Sequence, residues 1–372
     1  MARKFGKKNH VKVDPFNYSL MLLGEPKIGK TSLMYQVAEK ELGSDGYIFA
    51  EFFREKGAEA IEGIVAENIP DWDYWVDFVD DITENKNTDY EDLRAVFVDT
   101  YDQYISLAEQ EALRIWNRKN PDKRADSLKQ TWGGFKGPSD KVTELMFEQT
   151  DRLKEVGVQV WWIGHCRIKD VKDIYSDETY QTITSDQQQT YFNALKKNLH
   201  FLCLAYFDRQ LQKERTGRKN IVTNKEEMKT VVKDETRKVK FRDDGFVVDS
   251  GSRFSAIKSE VSLDKDEFID AIKDAIRAEI EKNGGSVKKR TEENAKEDKE
   301  NAERIATEIE AKKSKAAVDE VISEIVNFFT ENKSEIDKIK PVMAEIKKRG
   351  YAKPTEITDI EDAKAVLALT LQ

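Results

Sequence analysis

Histidine and cysteine are scarce in this chain of 372 residues, with three of the first and two of the second. His10, His165 and His200 stand far apart and no C-x-x-C pair occurs, so the usual donor sets of structural zinc are excluded. Cys166 and Cys203 each sit inside an apolar run, which fits small buried side chains in a reducing compartment and excludes a disulfide framework. No window approaches 18 consecutive apolar residues, and residues 1–17 are basic without the apolar core of a secretory signal. A soluble, cytoplasmic protein with no membrane partner is the expectation. Positive charge in excess is also missing. The net charge is −9 with 36% charged residues, which excludes a histone-like binder and confines any nucleic-acid contact to local basic loops.

What is present centres on residues 18–32, YSLMLLGEPKIGKTS. The apolar run Leu20-Met21-Leu22-Leu23 predicts a buried strand, and residues 32–40 have the apolar spacing of a helix. Between them Gly24-Glu25-Pro26-Lys27-Ile28-Gly29-Lys30-Thr31 matches G-x-x-x-x-G-K-T, and strand, loop and helix are the context that makes this match a phosphate-binding P-loop. Gly24 and Gly29 let the backbone curl so that successive N–H groups point at a β-phosphate, and the helix N-terminus at Ser32 adds its positive end. Lys30 is then placed to neutralise the β- and γ-phosphates of ATP, and Thr31 to ligate Mg2+.

Two further strands complete such a site. Residues 94–100, RAVFVDT, read as a buried parallel strand that delivers Asp99 to the carboxyl edge of the sheet, where a Walker-B acid holds Mg2+ together with Thr31. Residues 47–53, YIFAEFF, read as another, with Glu51 near its end as the candidate base that polarises water; the alternative is a solvent-facing glutamate. Residues 158–165, VQVWWIGH, end in His165, a candidate γ-phosphate sensor or a merely structural histidine. A weak strand is expected around 75–79, a polar functional loop over 167–191, and a strand over 199–207.

The loop 117–141, WNRKNPDKRADSLKQTWGGFKGPSDK from its Trp116 neighbour onward, interleaves Arg118, Lys119, Lys123, Arg124, Lys129, Lys136 and Lys141 with Trp132 and Phe135. Cations that track phosphates and flat rings that stack on bases suit single-stranded DNA; a solvated loop with two tucked aromatics is the competing reading. The basic stretch 1–10 offers the same choice between a solvated tail and a nucleic-acid contact. After Gly217 a period-two pattern with a turn at 243–245 predicts antiparallel strands over 230–232, 237–242 and 246–249 that close the sheet. Arg237, Arg242 and Arg253 on them are either fingers for a neighbouring subunit's nucleotide or plain exposed cations. Residues 264–282 form an amphipathic helix, and 287–315 are nearly all charged, a solvated helix or a tether. The stripe at 318–329 and helices at 341–350 and 360–371 make a small helical module suited to docking a protein partner.

In their order, GEPKIGKTS, VFVDTYD, WWIGH and RKVKFRDDGF followed by GSRF resemble the phage-encoded, RecA-like AAA-domain nucleotide-binding proteins, the single-strand annealing ATPases, over about 16–257. The resemblance implies a RecA core that binds ATP and Mg2+, engages single-stranded DNA in a homo-oligomeric ring or filament, and serves phage recombination, annealing or replication in the host cytoplasm. The chain departs from the family pattern at AEFFREKG, where the glycine follows the carboxylate late, so Glu55 and Asp102 stand beside Glu51 as candidate bases. The expected fold is α/β: a RecA-like P-loop NTPase core with a mainly parallel sheet and antiparallel closing strands, plus a C-terminal helical module. Its expected parts are a basic tail 1–15, an ATPase domain 16–258, a helix and charged tether 259–315, and the module 316–372. Catalytic candidates are Lys30, Glu51, Asp99, His165, Arg242 and Arg253. Competing functions are an ATPase that loads or drives a helicase or packaging machine, and a nucleotide-gated scaffold recruiting partners through the C-terminal helices.

Overall fold

Four large apolar side chains and a glycine make the first strand, β1 (Leu20–Gly24), and all five residues are buried. A strand without a polar face must be covered on both sides, which places it in the middle of a parallel sheet. The computed structural model, which describes residues 9–134, 136–172, 178–219, 226–242 and 250–370, shows that arrangement. After β1 come α1 (Lys30–Leu42), β2 (Tyr47–Phe52), β3 (Ala66–Ile69), α2 (Trp72–Glu84), β4 (Ala95–Asp99) and α3 (Tyr101–Lys119). Then follow α4 (Gly137–Glu155), β5 (Gln159–Lys172), β6 (Thr179–Ser185), α5 (Gln189–Lys196), β7 (Phe201–Lys219) and β8 (Glu226–Lys240). The closing elements are β9 (Gly251–Ser252), β10 (Glu260–Ser262) and α6 (Lys265–Lys282), before α7 (Val287–Glu331), α8 (Ile336–Lys348) and α9 (Ile360–Thr370).

The sheet runs β10-β8-β7-β1-β5-β4-β2-β3, with β6 paired to β5 and β9 to β7. From β7 to β3 all neighbours are parallel, and β8, β9 and β10 close the sheet antiparallel. This is the predicted α/β class. One strand, β5, lies between the P-loop strand β1 and the Asp99 strand β4, so Gly24 is level with His165 and Asp99 with Ile163.

Successive residues of a strand face opposite ways, and the two tryptophans of β5 divide accordingly. Trp162 joins the core on the side of α2 to α5, with Trp75, Tyr104 and Met146. Trp161 joins the core on the side of α1 and α6, stacks on Phe16 at 4.4 Å, and donates its Nε1–H to the carbonyl of Tyr18 at 3.0 Å. The chain divides into two compact units, Met1–Thr83 with Tyr90–Glu297, and Glu84–Asp89 with Asp298–Gln372. The second has its own core of Val318, Ile322, Ile325, Val342, Ile346, Ile357, Ala363 and Val366.

Three expectations are corrected. Residues 75–79 are not a strand: Trp72, Trp75, Val79 and Ile82 are buried at helical spacing on α2, capped by Asp71, whose carboxylate accepts from Tyr74 N at 2.9 Å. The strand there is β3, four residues that pair with β2 at the sheet edge and are too polar to announce themselves. Nor are residues 167–172 and 179–185 loop, 173–177 lying outside the described residues. β5 continues past His165 and pairs antiparallel with β6, from Cys166 with Ser185 out to Lys172 with Thr179, and α5 follows. Likewise β7 does not stop at Phe207 but runs on with β8 as a long ribbon. The turn expected at 243–245 and the strand at 246–249 lie outside the described residues, as does most of the 1–10 stretch. Residues 287–315 are helical, as part of α7.

Candidate active site

Gly24 ends β1 where a Cβ would stand 3.0 Å from the Ala205 carbonyl and 3.1 Å from the Ala205 Cβ, so a side chain there would press against β7. Lys27 and Gly29 take left-handed backbone, φ 65° and 108°, and curl the chain into α1, whose first residue is Lys30. Inside the curl the Lys30 Nζ donates to the carbonyls of Gly24 and Glu25, both at 3.1 Å. Burial lowers the ammonium pKa, with the nearby Asp99 carboxylate pulling the other way. Glu25, Pro26, Ile28 and Ser32 complete the loop and first turn.

Thr31, in that first turn, donates its Oγ1–H to Asp99 Oδ2 at 2.8 Å. Asp99 is 1% exposed, its Oδ1 is buried with no hydrogen-bond partner among the described residues, and burial pushes its pKa up to about 7. The donor set fits a divalent cation. A hydroxyl and a hard carboxylate stand side by side, one oxygen is unspent, and among the described residues no cation forms an ion pair with the buried acid, whose burial the nearby Lys30 ammonium offsets only in part.

The segment after β2 folds over this pair. Glu51 is level with Asp99 in the sheet, and its Oε1 accepts from Ala58 N at 2.6 Å, drawing residues 53–58 into a tight loop. Gly57 packs so that a Cβ there would lie 3.1 Å from Thr31 Oγ1 and 3.5 Å from Asp99 Oδ2. Thr100 Oγ1 donates to Glu55 Oε2 at 3.5 Å. Burial raises the Glu51 pKa, and the Ala58 N–H opposes the rise. Thus Glu51, Glu55 and Asp99 surround one spot, with Glu51 engaged in the turn in this conformation. Gly57 was the residue to find: the late glycine of AEFFREKG reaches the site because the Glu51 to Ala58 bond folds the loop back.

Asp102, in the first turn of α3, accepts from His165 N at 2.8 Å and lies 3.0 Å from His165 Nδ1. His165 is therefore oriented by a carboxylate, and it stands where β5 leaves the parallel sheet and becomes the β5–β6 hairpin. Arg242 and Arg253 are not brought to the P-loop. Arg253 donates to the carbonyls of Leu199 at 3.1 Å and Lys197 at 2.5 Å, before the start of β7, and Arg242 Nη1 donates to Ser255 O at 3.4 Å.

The loop between α3 and α4 lies at the other end of the domain. α3 starts at the carboxyl edge of β4 and runs 19 residues, about 28 Å, before the loop begins. Arg118, Lys119, Lys123, Arg124 and Lys129 are exposed and pair with no carboxylate among the described residues, whereas Lys136 pairs with Asp140 and Lys141 with Glu144. Trp132 leans edge-on against Trp116 at 5.3 Å and is half-buried, so its ring is tucked and not offered for stacking. Phe135 lies outside the described residues.

A curled loop, a lysine within it, and a threonine paired with a buried strand-end aspartate constitute an NTPase site, and a family model described as an AAA domain matches residues 17–236. The chain belongs to this AAA-domain family. It matches no curated protein. The AAA domain takes in every strand from β1 to β7, the α3–α4 loop and most of β8, and makes this a nucleotide-binding protein of the P-loop ATPase type. Among the described residues, no helix of it or of the C-terminal unit is long and apolar enough to cross a membrane.

Proposed function

We propose that the chain binds and hydrolyses ATP with Mg2+ and acts on single-stranded DNA, in phage recombination, annealing or replication, as a homo-oligomer whose C-terminal helices dock a protein partner. The observation that carries the ATPase reading is the Thr31–Asp99 pair with its unspent Asp99 Oδ1 beneath the P-loop. Lys30 leaves the Gly24 and Glu25 carbonyls for the β- and γ-phosphate oxygens, and Thr31 and Asp99 hold the metal and its water. Mg2+, when bound, offsets charge on the phosphate oxygens. Glu51, or Glu55 from the same loop, orients the attacking water, and His165, held by Asp102, relays the state of the site to the β5–β6 hairpin.

The DNA part is supported by five exposed cations, Arg118 and Lys119 in the last turn of α3 and Lys123, Arg124 and Lys129 on the loop after it, without carboxylate partners among the described residues, in a chain of net charge −9. Exposed cations without carboxylate partners are available to an external anion, and phosphates of a flexible strand are such anions. The hairpin adds Arg167 and the exposed Ile168 and Tyr180. Hydrolysis measured on gel-filtered protein with and without single-stranded DNA tests the reading. Faster turnover with DNA is expected, and turnover indifferent to DNA at every concentration argues against it.

A further inference from the structure

We propose that Arg237 is a second cation of the nucleotide site, closing on the phosphate chain from the β7–β8 side while Lys30 closes on it from the β5 side. The inference rests on ATP binding at residues 24–32. β8 pairs with β7 so that Arg237 stands opposite Phe207, two positions beyond Ala205, which is itself level with Gly24. Arg237 thus leaves the sheet at the height where β1 turns into the P-loop. Its Nη1 donates to the carbonyl of Ile28 at 3.3 Å and lies 3.6 Å from where a Cβ on Gly29 would stand. The guanidinium centre sits 5.7 Å from the Phe207 ring, and the Arg237 carbonyl accepts from Leu263 N at 2.9 Å. Backbone and side chain are both held, and the charge lies across the loop that receives phosphates.

The pairing of its neighbours separates Arg237 from an ordinary strand cation. Arg209 pairs with Glu235 at 2.7 Å, and Lys238 with Asp208 at 2.8 Å and Glu260 at 3.1 Å. Arg237 pairs with no carboxylate among the described residues, and its acceptor is one carbonyl of the P-loop at a long distance. Lys30 is parked in the same manner, on two carbonyls of the loop at 3.1 Å. A permanent cation resting on a neutral, distant acceptor gains when a phosphate oxygen arrives, because the charge-assisted bond is shorter and stronger, and the guanidinium fork can engage two oxygens. Arg237 is therefore a cis contact of its own P-loop and not a finger for a neighbour's nucleotide.

Calorimetric titration of the full chain with the non-hydrolysable analogue AMP-PNP and Mg2+ tests this. Arg237→Gln keeps a donor for the Ile28 carbonyl and removes the charge, so it should bind AMP-PNP about 10-fold more weakly or worse, while Arg237→Lys retains most of the affinity. Arg209→Gln, on the same ribbon but already paired, should bind within about twofold of wild type. Wild-type affinity in Arg237→Gln, with Lys30→Ala failing to bind, overturns the inference and leaves the ATP site standing. Wild-type protein that binds no AMP-PNP overturns both. A melting temperature measured on each variant separates lost binding from lost folding, and a folded Arg237→Gln alone decides the matter if Arg237→Ala does not fold.

Discussion

Thr31 Oγ1 donates to Asp99 Oδ2 at 2.8 Å across 68 positions of sequence, joining the first turn of the P-loop helix to the end of a strand two places away in the sheet. The bond exists because β5 is inserted between β1 and β4, which spaces the threonine and the aspartate for one ion.

Asp99 should impose a pH dependence on stability. Its carboxyl titrates near 3.9 in the unfolded chain and at about 7 in the fold, chiefly because it is buried. Between those values the folded protein holds a proton that the unfolded chain has released, so this group's contribution is full below about 4 and is lost as pH rises through about 7. Asp99→Asn does not titrate. Calorimetric melting in EDTA should show the variant gaining on wild type as pH goes from 5 to 8, and a pH-independent difference contradicts the burial argument.

Glu51→Gln keeps the oxygen that accepts from Ala58 N and removes the charge, so the 53–58 loop should persist. ATP affinity is expected to hold while turnover falls by roughly 100-fold. If turnover in Glu51→Gln matches wild type and collapses in Glu55→Gln, the water-orienting role belongs to Glu55.

Lys123, Arg124 and Lys129 should carry DNA phosphates independently of base sequence. Replacing all three with glutamine should flatten the salt dependence of single-strand binding by about two units of log slope, at about 0.7 per contact. An unaltered slope moves the DNA to another surface, and the same substitution series on Arg167 and Lys172 of the hairpin then locates it.

Arg253 is predicted to be structural. It ties the end of α5 to the start of β7 through two carbonyls, and charged donors of this kind are worth about 1 kcal/mol when partly exposed. Arg253→Ala should lower the melting temperature by a few degrees and leave turnover per folded molecule unchanged. A loss of turnover without loss of stability would instead return it to the role of finger.

The phosphate loop was legible because its chemistry fixes residue types at fixed spacing: Gly24 where β7 comes close, Gly29 where the backbone turns left-handed, and Lys30-Thr31 where the helix begins. Asp99 was legible because a strand buried on both faces is a plain apolar run. The hairpin β5–β6 was not, and the ribbon β7–β8 was legible only in part, through the apolar run at 199–207 and the period-two stretches at 230–232 and 237–242, since strands exposed on both faces alternate among polar residues and leave little hydrophobic period. β3 was hidden for the same reason, with only Ile69 buried. Arg237 and Gly57 reach the site through tertiary folding, one across a strand pairing and the other through the Glu51 to Ala58 bond, and neither relation leaves a mark in local sequence.

The central claim, that Thr31 and Asp99 hold the metal of a bound nucleotide, is tested most directly by titrating ATP into wild type and Thr31→Val, each with Mg2+ and with EDTA. Wild type should bind ATP more tightly with Mg2+ than with EDTA, and Thr31→Val, which keeps the shape and removes the hydroxyl, should lose most of that difference. Equal Mg2+ enhancement in the two proteins would contradict it.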